Sequence, residues 1–187
     1  PLFYESIPAP WRGVFYFGFM KNTLLAFALL LFGSTMAQEK IQWMSIEEAY
    51  ELTQTEENPK KIFIDVYTDW CGWCKRMDKA TFQNPEVAAY MNEHYYNVKF
   101  DAEQKESIEM LGNTFKFIPQ GKRGYHELAA ALLNGKMSYP TVVFMNPKFE
   151  MLSPVPGYQE APQFLKVATF FGDNIYKSVP WEEYAKQ

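Results

Sequence analysis

The chain has 187 residues, of which 48% are hydrophobic and 18% aromatic, and its formal net charge is −4. This length suits one domain with a substantial core, and the composition excludes wholesale disorder. Because Lys and Arg form no basic stripe, we expect no nucleic-acid partner.

A secretory signal pattern stands before the part of the chain that reads as a folded domain. Lys21 gives a positive start, residues 24–32 form an apolar run, and Thr35 and Ala37 are the small residues of a cleavage site. We therefore expect residues 20–37 to be a signal peptide that is cleaved after about Ala37. The mature protein would then be periplasmic or secreted.

The first residues of the chain are harder to interpret. Residues 1–19 show no assignable periodicity, and our hypothesis is that they are a non-native upstream segment, with Met20 as the true start. The alternative is one uncleaved membrane helix over residues 14–36, which is about long enough to span a bilayer.

From residue 38 onward the sequence predicts a single domain in which helices alternate with strands. Ser45 and Glu48 form a capping box that begins a helix. The apolar, β-branched segment from Lys61 to Tyr67 predicts a buried central strand, although Asp65 lies inside it. The next predicted elements are helices from Cys71 to about Ala80 and from Pro85 to about His94, a strand from Tyr95 to Asp101, and a helix over residues 103–112.

The last third of the sequence predicts a late hairpin. Residues 115–124 read as irregular. The predicted elements that follow are a helix from Tyr125 to Asn134, paired strands from Thr141 to Met145 and from Met151 to Val155, a helix from Pro162 to about Phe171, and a short tail helix from Trp181. Strands separated by helices imply parallel pairing, and the hairpin adds antiparallel strands. We expect an α/β fold with a central mixed sheet flanked by helices.

Cys71 and Cys74 are the two cysteines of the chain, and they stand at a predicted strand-to-helix junction. A loop this short stabilises a fold only weakly, so the pair indicates chemistry. Unpaired amides and the helix dipole favour a thiolate at a helix N-terminus. We therefore expect Cys71 to be the exposed nucleophile and Cys74 to be the resolving thiol.

A metal site and a purely structural disulfide are the alternatives for the cysteine pair. A metal site normally needs four ligands, and the pair supplies only two. His94 and His126 have no ligand spacing with the pair, and we expect both on helix surfaces. A structural disulfide would gain little from so short a loop. We expect no metal and no cofactor.

The segment IDVYTDWCGWCK, from Ile64 to Lys75, resembles the active-site segment of thioredoxins. Tyr139 and Pro140, followed by a strand, resemble the cis-proline segment of that family, and Gly157 resembles the glycine that ends its last strands. The sequence CKRMDKATFQNPEVAAYMNEHYYNVKFDAE is most similar to exported thioredoxin-like domains of the disulfide-reductant type.

The resemblance implies a thioredoxin fold and a role for each matching residue. Cys71 corresponds to the attacking cysteine and Cys74 to the resolving one. Asp65 corresponds to the buried acid that handles protons for the resolving cysteine, and burial would raise its pKa. The alternative is that Asp65 caps local backbone.

The resemblance also implies a substrate-binding surface. Pro140 would be cis and would present the backbone of Tyr139 to an extended peptide. Trp73 would be an exposed contact for a partner, whereas Trp70 would either contact substrate or pack inside.

Two features depart from typical thioredoxins. Gly72 and Trp73 separate the cysteines where a proline is usual, which leaves the redox potential open. The interval between Asp101 and Pro140 is unusually long, which predicts an insertion over about residues 105–124, before the cis-proline strand. This insertion would either shape substrate choice or be a surface excursion.

Together these features predict a thiol–disulfide oxidoreductase that acts on protein disulfides outside the cytoplasm, as a reductase or isomerase. Such a protein would need an electron donor, which we expect to be a membrane protein. The alternative is a thioredoxin-fold adaptor that binds peptides without turnover.

Overall fold

Alternating helices and strands make up residues 39–186, which are the residues that the computed structural model describes. The strands are β1 (Trp43–Met44), β2 (Lys61–Tyr67), β3 (Tyr95–Asp101), β4 (Ile108–Met110), β5 (Asn113–Phe115), β6 (Phe117–Gln120), β7 (Arg123–His126), β8 (Thr141–Met145) and β9 (Met151–Pro156). The helices are α1 (Ile46–Thr55), α2 (Gly72–Ala80), α3 (Pro85–His94), α4 (Glu127–Leu132), α5 (Ala161–Gly172) and α6 (Trp181–Tyr184), with a 3-10 turn at Ile175–Lys177.

A five-stranded mixed sheet in the order β1–β3–β2–β8–β9 forms the centre of the fold. β3 pairs in parallel with β1 and β2, whereas β8 is antiparallel to β2 and β9. The register places Asp65 of β2 beside Lys99 of β3. The predicted mixed sheet is therefore confirmed.

Strand alternation divides the core into two layers, one on each face of the sheet. Ile62, Ile64 and Val66 of β2 belong to one hydrophobic cluster, together with residues of α1 and α4. Phe63 belongs to the other cluster, together with residues of α2, α3 and α5. Because side chains alternate along a strand, Asp65 lies on the same face as Phe63, toward α2.

Several predicted helix starts are confirmed at their caps. The Ser45 hydroxyl accepts from the Glu48 amide at 3.1 Å, and the Glu48 carboxylate accepts from the Ser45 amide at 2.7 Å. Asn84 caps α3 and precedes Pro85 in the first turn. The predicted bounds of β2, β3 and β8 match the structure.

The helix predicted over residues 103–112 is wrong. β4 and β5 form a hairpin there, and Leu111 and Gly112 at its turn have φ of 54° and 73°. Positive φ at both central residues matches a type I′ turn, whose twist suits a hairpin. Gly112 therefore belongs to a hairpin turn and not to the last turn of the predicted helix.

The segment predicted as irregular is also ordered. β6 and β7 pair as a second hairpin, and α4 begins only at Glu127 rather than at Tyr125. The short edge strand β1 was not predicted. The two hairpins together occupy the stretch that the sequence predicts to be an insertion.

His126 is fully buried, so its predicted place on a helix surface is wrong. Its Nδ1 accepts from the Leu128 amide at 3.2 Å, and its Nε2 lies 3.1 Å from the carbonyl oxygen of Glu106. This imidazole caps α4 and connects it to the chain just before β4. His94 is at the end of α3 and is partly exposed.

The proposed signal peptide at residues 20–37 and the upstream segment at residues 1–19 lie outside the described residues. Between residues 39 and 186, no helix has both the length and the apolar character needed to cross a bilayer.

Candidate functional site

A disulfide joins Cys71 and Cys74 where β2 leads into α2. Cys71 is the N-cap of α2, and its sulfur accepts from the Cys74 amide at 3.1 Å. The two cysteines are only 5% and 3% exposed. In this disulfide form the expected exposure of Cys71 is therefore wrong, because its sulfur is directed back onto the first turn of the helix.

The Tyr139–Pro140 peptide bond is cis. The carbonyl oxygen of Pro140 accepts from the Gly157 amide at 2.8 Å, which joins the starting point of β8 to the chain after β9. Gly157 has φ of +95°, a conformation that a residue with a Cβ rarely adopts. The Tyr139 ring lies 5.9 Å from the Trp70 ring, edge to face. The structure thus places this loop next to the residue that precedes Cys71.

Trp70 and Trp73 are both exposed, at 51% and 56%. Trp70 donates from its indole nitrogen to Glu103 Oε1 at 3.0 Å. Trp73 lies 5.4 Å from the ring of Tyr158. Both tryptophans therefore present aromatic surface beside the cysteines, and Trp70 is not an interior packing residue.

Asp65 is 1% exposed, and its Oδ2 lies 2.6 Å from Lys99 Nζ. Its other oxygen, Oδ1, has no hydrogen-bond partner in the described part of the chain. Burial raises the pKa of Asp65 to about 6 even though Lys99 opposes this. The predicted direction of the pKa change is confirmed. The hydrogen bond goes to Lys99 rather than to local backbone, so the capping alternative is wrong.

Lys99 and Asp78, both partly exposed, complete a charged cluster around the buried Asp65 that sequence reasoning missed. Asp78, on α2, also accepts from Lys99 Nζ, which lies 5.0 Å from the ring centre of Tyr67 as well. Burial lowers the pKa of Lys99, but the two carboxylates outweigh it and the net change is upward. Local sequence pattern gave no signal for this cluster, because its contacts depend on the register of β2 and β3 and on the packing of α2 over the sheet.

The described residues contain no group of three or more His, Cys, Asp or Glu side chains that is arranged to hold a metal ion. The site brings together the Cys71–Cys74 disulfide, the buried carboxylate of Asp65 and its ammonium partner Lys99.

Solved structures share this architecture. A thioredoxin-fold protein from Helicobacter pylori matches 75% of this chain and 91% of its own length, with a TM-score of 0.51 and 21% identity. A structure described as DsbH oxidoreductase matches 72% of this chain and 86% of its own, with a TM-score of 0.50 and 19% identity. At sequence identities of 21% and 19%, the structural similarity establishes that this chain has the thioredoxin fold.

The chain belongs to the family Thioredox_DsbH, described as "Protein of unknown function, DUF255", which matches residues 32–168. Family membership and the Cys71–Cys74 pair together indicate thiol–disulfide redox chemistry.

Similarity also extends to larger proteins. The thiol:disulfide interchange protein DsbD of Photorhabdus laumondii is 25% identical over 139 residues, which are 71% of this chain and 21% of the relative. The chain spans between 8% and 21% of the length of the first curated relatives that it matches.

Proposed function

We propose that the protein is a thiol–disulfide oxidoreductase that acts on protein disulfides outside the cytoplasm, as a reductase or isomerase. The observation that carries this proposal is the Cys71–Cys74 disulfide at the start of α2, close to the Tyr139–Pro140 loop. The name of the Photorhabdus relative, a thiol:disulfide interchange protein, supports the same class of chemistry here. The signal pattern at residues 20–37 supports the location.

The reductive reaction starts from the dithiol form. The Cys71 thiolate attacks one sulfur of a substrate disulfide, so that a mixed disulfide forms and one substrate thiolate leaves. Free amides in the first turn of α2 stabilise the attacking thiolate, since they point toward the N-cap position. In the disulfide form, the Cys74 amide already donates to the Cys71 sulfur.

The second step releases the substrate. Cys74 loses its proton and attacks the Cys71 sulfur of the mixed disulfide, which restores the Cys71–Cys74 disulfide and frees the second substrate thiol. We assign the Cys74 proton to Asp65, because a carboxylate whose pKa is about 6 accepts a proton more readily at neutral pH than an ordinary aspartate. Two electrons pass to the substrate in each cycle.

Substrate and donor both use the same exposed surface in this proposal. An extended peptide lies against the backbone of Tyr139 by strand-like hydrogen bonds and contacts Trp70 and Trp73. A dithiol of a membrane electron donor then reduces the Cys71–Cys74 disulfide by the reverse exchange.

Insulin reduction with dithiothreitol as the electron source tests the proposal. Cys71→Ser should lower the rate to that of dithiothreitol alone, because no attacking thiol remains. Cys74→Ser should accumulate a mixed disulfide that is visible by mass spectrometry. Lys79→Ser, an exposed change on the same helix, is the matched control and should retain the wild-type rate.

The adaptor alternative predicts a different result. If the wild-type protein binds peptides but reduces insulin no faster than dithiothreitol alone, the oxidoreductase proposal is wrong.

A further inference from the structure

An arginine guanidinium group lies over the ring of each of the two exposed tryptophans beside the cysteines. The guanidinium carbon of Arg76 lies 5.3 Å from the Trp73 ring centre and 5.4 Å from that of Tyr158. The guanidinium carbon of Arg123 lies 4.4 Å from the Trp70 ring centre. Arginine–aromatic contacts of this kind are favourable and hold the guanidinium flat against the ring.

The second arginine comes from a distant part of the chain. Arg76 belongs to α2, which Cys71 caps, whereas Arg123 is the first residue of β7 in the stretch predicted as an insertion. The β6–β7 hairpin therefore reaches the redox site at Trp70. This contact favours the view that the insertion shapes substrate choice over the view that it is a surface excursion.

No residue between 39 and 186 neutralises either guanidinium group. Arg76 and Arg123 are exposed, and neither has a hydrogen bond or ion pair to any residue between 39 and 186. Glu103 also contacts Trp70, but it accepts the indole N–H and forms no ion pair with Arg123. A guanidinium stacked on a ring keeps its N–H edge available for a carboxylate.

Acidic groups near Trp70 restrict where a ligand carboxylate can bind, but they do not neutralise the positive charge of Arg123. Asp69 is exposed and Glu103 is partly exposed, so a carboxylate on a ligand is repelled except where it meets Arg123 directly. Around Trp73 the charges are more uniformly positive than around Trp70, because Lys75 precedes Arg76 in the sequence.

We propose, building on the proposed oxidoreductase function, that Arg76 and Arg123 are specificity-determining residues that select peptide disulfides with acidic residues on both sides of the cysteine. The substrate cysteine reacts with Cys71, while carboxylates before and after it pair with the two ring-stacked guanidinium groups. Complementary charges at an exposed binding surface affect which partner is selected more than how tightly that partner binds.

Three synthetic peptides test the proposal. They share one sequence around a single cysteine, carry Asp, Asn or Lys at the positions two before and two after it, and are supplied as disulfide-linked dimers. The measurement is the second-order rate constant for their reduction by pre-reduced protein under single-turnover conditions. The wild type should reduce the Asp peptide about tenfold faster than the Asn peptide and the Lys peptide most slowly, since each exposed charge pair contributes about threefold.

Three variants distinguish the effect of the ring-stacked arginines on the rate ratio from the effect of positive charge in general. Arg76→Gln and Arg123→Gln should each lower the Asp-to-Asn rate ratio about threefold. Lys122→Gln removes the neighbouring exposed charge, which lies over no aromatic ring of residues 39–186, and should leave the ratio unchanged. Raising the ionic strength should shrink the wild-type ratio.

Each contrary result has a distinct meaning. Equal rates for the three peptides overturn the selectivity but leave the oxidoreductase function standing. A change with Lys122→Gln as large as with Arg123→Gln overturns the role of the stacked arginines. Failure of the wild type to reduce even the Asn peptide overturns the proposed function and this inference together.

Discussion

At the scale of single residues, Asp65 shows how an otherwise ordinary side chain acquires an unusual proton affinity. It lies inside a strand that is buried on both faces, one of its oxygens has no partner in the described residues, and Lys99 compensates only part of the cost of burying its charge. The pKa is therefore raised from 3.8 to about 6. A carboxyl group of this kind destabilises the fold when it is ionised.

This cost should be visible as a pH-dependent difference between wild type and Asp65→Asn. The folded state holds the Asp65 proton more tightly than the unfolded state, so the wild type loses stability relative to the variant as pH rises from about 4 to about 6. The relative change should approach about 3 kcal/mol, because a pKa unit corresponds to about 1.4 kcal/mol. Urea unfolding of both oxidised proteins between pH 4 and pH 8 measures it.

A matched control and a contrary result complete that experiment. Glu109→Gln changes an exposed acid on β4 and should track the wild type across the same pH range. If the free energies of unfolding of wild type and Asp65→Asn run parallel from pH 4 to pH 8, the raised pKa of Asp65 is wrong.

Sequence identified Asp65 but not the groups around it. An acid inside an apolar strand is conspicuous by itself, and so burial and a raised pKa were predictable. Lys99 and Asp78 depend on the strand register and on how α2 packs over the sheet, and neither is readable from local pattern. The same holds for Arg123, whose contact with Trp70 joins segments far apart in the chain.

At the scale of elements, the β6–β7 hairpin depends on one glycine. A Cβ on Gly124 would lie 2.2 Å from the Phe117 ring and 2.4 Å from the carbonyl oxygen of Ile118. The second atom belongs to the paired strand's backbone, so a side-chain rotation cannot relieve the clash. Gly124 is thus required by close approach of the two strands.

Gly124→Ala should therefore open this hairpin while the central sheet stays intact. We expect a loss of about 1–3 kcal/mol in the free energy of unfolding. Amide hydrogen exchange should quicken across residues 117–126 and stay unchanged in β2, β3 and β8. Lys122→Ala at the turn is the control, and protection equal to wild type in the Gly124→Ala hairpin would contradict the argument.

Elements were predictable where local signals agreed with tertiary structure. β2, α3 and β8 combine clear composition with caps or prolines at their ends, and their predicted bounds hold. The secondary structure predicted inside the insertion was wrong because its strands have only three or four residues, too short for periodicity to appear. Leu111 also has a positive φ, and a leucine in the sequence does not indicate a turn.

At the scale of the whole molecule, stability comes from the two layers of the sheet rather than from its disulfide. β2, β3 and β8 carry side chains into hydrophobic clusters on both faces, and these clusters extend to helices on either side. The disulfide spans a sequence separation of only 3 and joins groups that α2 already holds together. A fold built this way tolerates the opening and closing of its cysteine pair.

Reduction should accordingly leave the domain folded. A loop this short limits the entropy of the unfolded chain by about 2 kcal/mol at most, so the reduced protein should unfold at a slightly lower urea concentration with unchanged cooperativity. Circular dichroism with and without dithiothreitol measures this, and the double variant Cys71→Ala with Cys74→Ala should not respond to the reductant. Loss of the folded signal on reduction would instead identify the pair as a structural disulfide and remove the basis for a redox cycle, because a reductant must persist in its dithiol form between donor and substrate.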